Sequence, residues 1–171
     1  MLIRDATAGD MAAVTGIYNA LIDTTTVAWT EQHQTLDERM AWFAQQRTDG
    51  YPVLVAVDGA DNDDGDRVIG FAAYASFRGA GRWPGYRYTV EHTIHLDHAV
   101  WGAGIGTALL EALVERARAG GLHVMVGAID ADNTGSIRFH ERLGFVEVAR
   151  MPQVGRKFDR WLDLVLMQRI L

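Results

Sequence analysis

The 171-residue chain reads as a mixed α/β protein. Three observations carry that reading. Short apolar runs rich in β-formers alternate with segments of helical apolar spacing along the whole chain. Capping residues and glycine stops bracket the helical segments. A glycine-rich turn, Trp101-Gly102-Ala103-Gly104-Ile105-Gly106, joins a strand-like run to an amphipathic helix.

Each element has its own signal. Residues 2–4 form a short edge strand. Thr7 or Asp10 caps a helix running to about residue 21, whose apolar positions Met11, Val14, Ile17, Tyr18 and Leu21 recur at helical spacing. Residues 24–29 form a threonine-rich loop. Thr35-Leu36-Asp37-Glu38 is a capping box that opens a second helix to about residue 47. Residues 53–57 and 68–77 are strands around an acidic stretch containing Asp58, Gly59, Asp61, Asp63, Asp64, Gly65 and Asp66. That stretch reads as a solvated hairpin loop, since it lacks the closing glutamate of a calcium loop. Residues 78–87 are a loop holding Arg78, Arg82 and Arg87, and residues 88–97 are the central strand.

The helix after the glycine turn starts near Gly104. Ile105, Leu109, Leu113 and Ala117 step by four, and Leu110 and Val114 widen the stripe. Glu111, Glu115, Arg116 and Arg118 lie mostly off it, and Gly120-Gly121 stops it. Residues 122–129 are a short buried strand, 130–134 a turn, and 136–143 a helix stopped by Gly144. Residues 145–149 begin another strand, and residues 161–170 form a final strand of alternating type. No repeat, low-complexity tract or linker interrupts the order, so one domain over residues 1–171 is expected.

Composition narrows the function. A formal net charge of −6 argues against general nucleic-acid affinity. No apolar run approaches the roughly 18 residues of a membrane span, and no basic segment followed by an apolar one opens the chain, so no signal peptide is expected. With no cysteine, disulfides, cysteine metal sites and a cysteine nucleophile are excluded. A cytoplasmic location is the default.

The glycine turn is a candidate anion cradle. A helix amino end carries about half a positive charge and several unpaired N–H donors, and glycines clear side chains from their path. A dinucleotide fingerprint would need a third glycine at Thr107 and fails. A nucleotide-hydrolase phosphate loop would need Gly-Lys-Ser/Thr, and the one lysine of the chain is Lys157. What remains is Gly-x-Gly-x-Gly entering a helix after a strand.

That strand, loop and helix, followed by a strand, Asn133, a short helix and Leu143-Gly144-Phe145, resembles the GNAT superfamily of acetyl-CoA-dependent N-acetyltransferases. Within it the chain resembles the phosphinothricin and methionine-sulfone N-acetyltransferase group. The matching pieces include Ile17-Tyr18-Asn19, Trp42-Phe43, residues 50–55, Tyr74-Ala75-Ser76-Phe77, Thr89-Val90-Glu91-His92 and His123-Val124-Met125-Val126. Met151-Pro152-Gln153-Val154-Gly155, Lys157-Phe158 and residues 160–164 complete them. The resemblance spans nearly the whole chain; the Thr-Val-Glu-His segment and the Met-Pro-Gln-Val-Gly tail are its most specific parts. It implies a central mixed, mostly antiparallel sheet flanked by helices, acetyl-CoA as co-substrate, a small amino-acid acceptor and a homodimer.

Acyl transfer to an amine needs a held donor, a base for the ammonium, donors for the carbonyl oxygen and an acid for the leaving thiolate. The cradle assigns the donor's pyrophosphate to Gly102, Ala103, Gly104, Ile105, Gly106 and Thr107. The resemblance implies that main-chain groups of Ile94, His95 and Leu96 bind the pantetheine arm like an added strand, and that Asn133 touches the coenzyme; Asn133 also reads as a helix cap. Glu91 is the candidate base. Strand alternation sets Glu91, Thr93 and His95 on one face and Val90, His92, Ile94 and Leu96 on the other, and a mid-strand carboxylate is costly unless it faces water. His92 and Thr93 join Glu91 at the substrate site implied by the resemblance. The same alternation separates His95 from His92 and His98, so no metal site is expected. His140 stands where many GNAT enzymes have the tyrosine that protonates the thiolate, and an imidazole can do that work.

For the acceptor, an amino-acid carboxylate is best held by an arginine fork. Arg82 with Trp83 lies just after the position of the group's Asp-Trp-Arg run, here Gly79-Ala80-Gly81. Trp29, and with it Tyr86, are candidates to wall the side-chain pocket. Two departures stand out. Trp101 replaces the Arg or Gln common in the family, and Ala103 replaces the following cation, so the cradle relies on backbone N–H groups. Competing readings are acetylation of another amine or a protein N-terminus, and a non-catalytic acyl-CoA-binding module.

Overall fold

The computed structural model describes residues 1–59, 67–79 and 81–171. The hairpin-loop reading of Asp61, Asp63, Asp64, Gly65 and Asp66 lies outside the described residues. The elements run β1 (Leu2–Asp5), α1 (Met11–Ile22), α2 (Leu36–Thr48), β2 (Val53–Asp58), β3 (Arg67–Ser76), β4 (Thr89–Leu96), α3 (Ile105–Ala119), β5 (Val124–Asp130), α4 (Thr134–Arg142), β6 (Val146–Lys157) and β7 (Arg160–Ile170). The strands follow the order β1-β2-β3-β4-β5-β7-β6 in a seven-stranded sheet. β4 and β5 pair in parallel; β1–β2, β2–β3, β5–β7 and β6–β7 are antiparallel. The mixed, mostly antiparallel sheet is the one expected. By packing, the chain divides into two compact units.

The first unit comprises Met1–Asn19, Gln34–Ala75 and Thr93–Arg116. Its core joins Met11 and Val14 of α1, Phe43 of α2, Val53, Val55 and Val57 of β2, and Val68, Phe71 and Ala73 of β3. Burial of each larger side chain is worth about 1.5–3 kcal/mol. Two local devices fix its helices. Thr35 Oγ1 accepts from Glu38 N (3.2 Å) while Thr35 N donates to Glu38 Oε2 (2.8 Å), the expected capping box. Ahead of α1, a 3-10 turn spans Ala8–Asp10, and the Asp10 carboxylate takes a fork from Arg4 (2.8 and 2.9 Å) and the N–H of Thr7 (2.7 Å). Those donors hold its pKa down to about 2.

The second unit comprises Ala20–His33, Ser76–His92 and Ala117–Leu171. Val90, Met125, Val126, Phe145, Leu162, Val165 and Met167 are buried in it. The strand expected to begin at residues 145–149 runs on as far as Lys157. Its ladder with β7 shifts register between Met151 and Gly155. Pro152 has no N–H to give a ladder, and the chain bulges there. Gln153 turns to a positive φ of 53°, and its N–H is taken by the Asp163 carboxylate at 2.9 Å. Pairing then resumes at Gly155 and reaches the hairpin at Phe158-Asp159.

Candidate active site

In the first unit, the glycine turn has the form its sequence asks for. Gly102 and Gly104 both adopt φ of +80°, a region that side chains disfavour. Nothing lies within 4 Å of where a Cβ would stand at either, so the turn is open on its outer side. Residues 102–104 are exposed, while Ile105 is buried and anchors α3. Ala108 N donates back to Gly104 O (3.2 Å), so the N–H groups of Ile105, Gly106 and Thr107 precede the first intrahelical bond. They converge with the positive end of a 15-residue helix, which suits a phosphate. Trp101 is half exposed. Its indole N–H donates to Leu96 O (3.3 Å) and its ring lies 4.5 Å from that of His98.

The pairing of β4 with β5 covers Thr89, Val90 and Glu91 and ends there, although β4 continues to Leu96. The main chain of Ile94, His95 and Leu96 therefore lies beyond that ladder. The His95 ring, expected to share the face of Glu91 and Thr93, packs 5.4 Å from both Tyr18 and Phe71. Burial, assisted by the Arg39 cation, lowers its pKa to about 4. Arg39 is only 4% exposed. Its guanidinium stacks over Tyr18, Trp42 and Phe71 at 4.7, 4.8 and 5.6 Å. Sequence reasoning passed over it because a helical arginine normally marks a solvated face.

In the second unit, Glu91 projects to the surface from the strand while Val90 and His92 are buried, as alternation requires. Protein crowds the Glu91 carboxyl enough to raise its pKa, with desolvation the cause. His92 reaches inward to His140: their Nε2 atoms are 3.2 Å apart and the rings stack at 5.1 Å. Gly127 makes room, since a Cβ there would lie 2.9 Å from His92 Nε2. His140 is 2% exposed, and its Nδ1 faces Ser136 O (2.8 Å) and Ser136 Oγ (3.4 Å). Burial lowers its pKa, against a smaller opposing effect of the Ser136 carbonyl. Asn133 caps α4, its Oδ1 accepting from Ser136 N at 3.0 Å.

The arginine loop is exposed. Arg82 lies against Trp83 (5.6 Å), Arg78 against Tyr86 (5.7 Å) and Arg87 against Tyr88 (4.5 Å). Among the described residues none of the three is bridged to a carboxylate, although Arg87 Nη1 donates to Pro84 O at 3.2 Å. Trp29 is half-buried, its indole flat on Gly155. Among the described residues no group of His, Asp and Glu is arranged to hold a metal.

Sequence reasoning missed the role of Lys157. Its Nζ is buried and donates to the carbonyls of Ile22 (2.7 Å), Thr25 (2.7 Å) and Ala28 (2.8 Å). Its standing as the one lysine of the chain, two residues beyond Gly155 in the tail motif, was the available signal.

Comparison with known proteins bears on this geometry. A family model described as Acetyltransferase (GNAT) family matches residues 14–145. The L-methionine sulfoximine/L-methionine sulfone acetyltransferase of Pseudomonas aeruginosa is 47% identical over 166 residues, covering 97% of this chain and 92% of that protein. Among solved structures, yncA of Salmonella typhimurium with its cofactor acetyl-CoA matches with a TM-score of 0.91 and 43% identity, over 100% of this chain and 94% of that one. A phosphinothricin acetyltransferase from Sinorhizobium meliloti in complex with AcCoA matches with a TM-score of 0.91 and 35% identity, over 99% and 88%.

Proposed function

The chain belongs to the GNAT family of acetyltransferases, and on that footing we propose that it moves the acetyl group of acetyl-CoA to the α-amine of a small amino acid of the methionine sulfone, methionine sulfoximine or phosphinothricin type. The observation that carries the acceptor class is the near full-length likeness to the Pseudomonas aeruginosa acetyltransferase. The geometry supports the donor half. The open turn at Gly102 and Gly104, with the first N–H groups of α3, fits a pyrophosphate without any cationic side chain. The main chain of Ile94, His95 and Leu96, beyond the β5 ladder, suits the pantetheine amides, and Asn133 lends a polar side chain at the start of α4.

The transfer forms one C–N bond and breaks one C–S bond. Glu91 takes a proton from the acceptor's ammonium, and its raised pKa makes it a better base than an ordinary carboxylate. A backbone N–H of β4 donates to the thioester oxygen as charge develops there. His140 supplies the thiolate's proton through the Ser136 hydroxyl, because its own ring is sealed from solvent. Arg82, stacked on Trp83, pairs with the acceptor carboxylate, and Trp29 walls the acceptor side chain. The enzyme works in the cytoplasm as a homodimer. The edge strand β6 supports the dimer, since it exposes Val146, Val148, Met151 and Val154, as does β7 with Trp161.

A thiol-release assay with acetyl-CoA over amino-acid analogues and unrelated amines tests the proposal. Turnover confined to amino acids with a free carboxylate is expected. Coenzyme binding with no turnover of any amine would favour the acyl-CoA-binding module that the Trp101 departure suggests. Arg82→Ala should raise KM for the amino acid at least tenfold and leave KM for acetyl-CoA nearly unchanged; the reverse pattern would remove Arg82 from the acceptor site.

A further inference from the structure

The tail motif running from Met151 to Phe158 has no part in the chemistry above, yet it is tied by side-chain and backbone bonds to Asp163 and to residues 22–31. Between α1 and α2, residues 23–34 have no helix or strand. Such a segment keeps a single conformation only where its backbone polar groups find partners. The end of β6 supplies them. The three N–H bonds of the Lys157 ammonium are all used, on the carbonyls of Ile22, Thr25 and Ala28. The next N–H along, that of Phe158, donates to Glu31 Oε1 at 2.9 Å. The His33 imidazole meets the Asp23 carboxylate at 2.8 Å, tying the two ends of the segment together.

Trp29 lies between these attachments. A Cβ added at Gly155 would stand 2.1 Å from Trp29 Cε3, 2.2 Å from Cζ3 and 2.9 Å from Cδ2. The indole plane therefore rests directly on the Gly155 backbone. Gly155 has no positive φ, so its lack of a side chain serves the ring and not the turn. Gly155 and Lys157 sit two residues apart on one strand and so point to one face. One clears a bed for the ring; the other fixes the backbone on which the ring is mounted.

We propose that Gly155 and Lys157 form a clasp that sets the position of Trp29, and that they are thereby positioning residues for acceptor selectivity. The inference rests on the reading that Trp29 walls the acceptor side chain. Lys157 does not touch the acceptor. It acts by holding Ala28, next to Trp29, at a carbonyl distance of 2.8 Å, while the buried ammonium makes the segment's geometry specific to lysine. A longer, forked arginine cannot offer three converging N–H bonds from one atom.

The test uses the full-length protein, with L-methionine sulfone as acceptor. Gly155→Ala leaves every carbonyl partner in place and perturbs only the bed of the ring. It should lower kcat/KM for the acceptor at least tenfold, the scale of loss when a binding wall moves by about 1 Å. KM for acetyl-CoA should stay within about twofold. Trp29→Ala should lower acceptor kcat/KM similarly, and Gly155→Ala combined with Trp29→Ala should be no worse than Trp29→Ala alone. A second readout needs no turnover. The Trp29 indole N–H resonance, assigned by Trp29→Phe, should shift or broaden in Gly155→Ala and in Lys157→Met. If Trp29→Ala is impaired but Gly155→Ala is not, the clasp is wrong and the acceptor-wall reading stands. If Trp29→Ala leaves acceptor kinetics unchanged, the wall reading is wrong and the selectivity role falls with it. An unmoved indole resonance in folded Gly155→Ala overturns the clasp whatever the activity, and additive losses in the double variant do the same. Should Lys157→Met not fold, Gly155→Ala still decides.

Discussion

His95 offers a sharp check on the electrostatics of the first unit. Its ring is packed between Tyr18 and Phe71 with the Arg39 cation nearby. Burial and, secondarily, that cation depress its pKa from 6.5 to about 4. The unfolded chain takes up a proton at this residue below about pH 6.5, while the folded chain refuses it until about pH 4. Stability is therefore unaffected above that window and falls as pH drops through it. The full penalty is about 3.5 kcal/mol at roughly 1.4 kcal/mol per pKa unit. At pH 4.5 it should already reach about 2.5 kcal/mol, a large share of the roughly 5–15 kcal/mol that holds a domain together. His95→Phe keeps an aromatic ring between the same neighbours and removes the titration. Urea unfolding of both proteins at pH 7.0 and pH 4.5 measures the effect, and carboxylates common to both cancel in the difference. The wild type should lose about 2.5 kcal/mol more than His95→Phe on acidification. Parallel losses, within about 0.5 kcal/mol, would mean that His95 is protonated in the folded state and that its burial is misjudged.

Three other changes follow from the same reasoning. Glu91→Gln should cut turnover by about 10²–10⁴-fold with acetyl-CoA affinity nearly intact; in the wild type, kcat/KM should rise with pH through an apparent pKa above the ordinary carboxylate value, because burial raises that of Glu91, and unchanged turnover near neutral pH would remove it as the base. Lys157→Met leaves three carbonyls without their shared donor in a buried setting, which should cost about 3–5 kcal/mol in chemical denaturation; a loss below about 1 kcal/mol would show that water or a new backbone arrangement replaces the ammonium. Asp10, with its pKa lowered to about 2 by the Arg4 fork and Thr7, contributes stability that is complete above pH 4 and disappears as pH falls toward 2. Asp10→Asn should lose about 2 kcal/mol at pH 7 and show a flatter acid profile than the wild type in that window.

Local rules were enough for much of this protein. The capping box at Thr35 and Glu38, the four-residue apolar steps of α3 and the glycine stop after α4 each act within a turn or two of chain, and each element appeared near its expected bounds. The edge position of β1 and the alternation that turns Glu91 out and His92 in were legible for the same reason. β6, expected only to begin at residues 145–149, runs on to Lys157 because its bulge at Pro152 is stabilised from the opposite strand, by Asp163 on Gln153. The partners of His92 and Lys157 lie 48 and about 130 residues away in sequence. Strand alternation can say that such a side chain is buried; it cannot say what it meets. Arg39 was hidden for a chemical reason. Its cation is stabilised by three aromatic faces instead of a carboxylate, so no charge pattern along the helix betrays it.

The buried histidine pair constrains any role for His140 more tightly than its position in the chain does. A carbonyl can only accept, so the Nδ1 that faces Ser136 O carries the proton. In the neutral ring Nε2 is then the acceptor, and the proton between the two rings belongs to His92 Nε2. A further proton on His140 would set an N–H against an N–H at 3.2 Å, unless His92 gave its own up or turned. Desolvation pushes the same way and lowers the His140 pKa. Each effect keeps this imidazole neutral near pH 7, so it cannot act as a stored imidazolium. Any proton it delivers must leave from Nδ1 as another arrives at Nε2, and His92 can pass its Nε2 proton across only if it gains one at Nδ1 in exchange. Nδ1 faces the helix start, where Ser136 Oγ stands 3.4 Å away and is only partly buried. The Ser136 hydroxyl is thus the outlet that this neutral ring has, and a proton passed to it from Nδ1 must be matched by one delivered to Nε2.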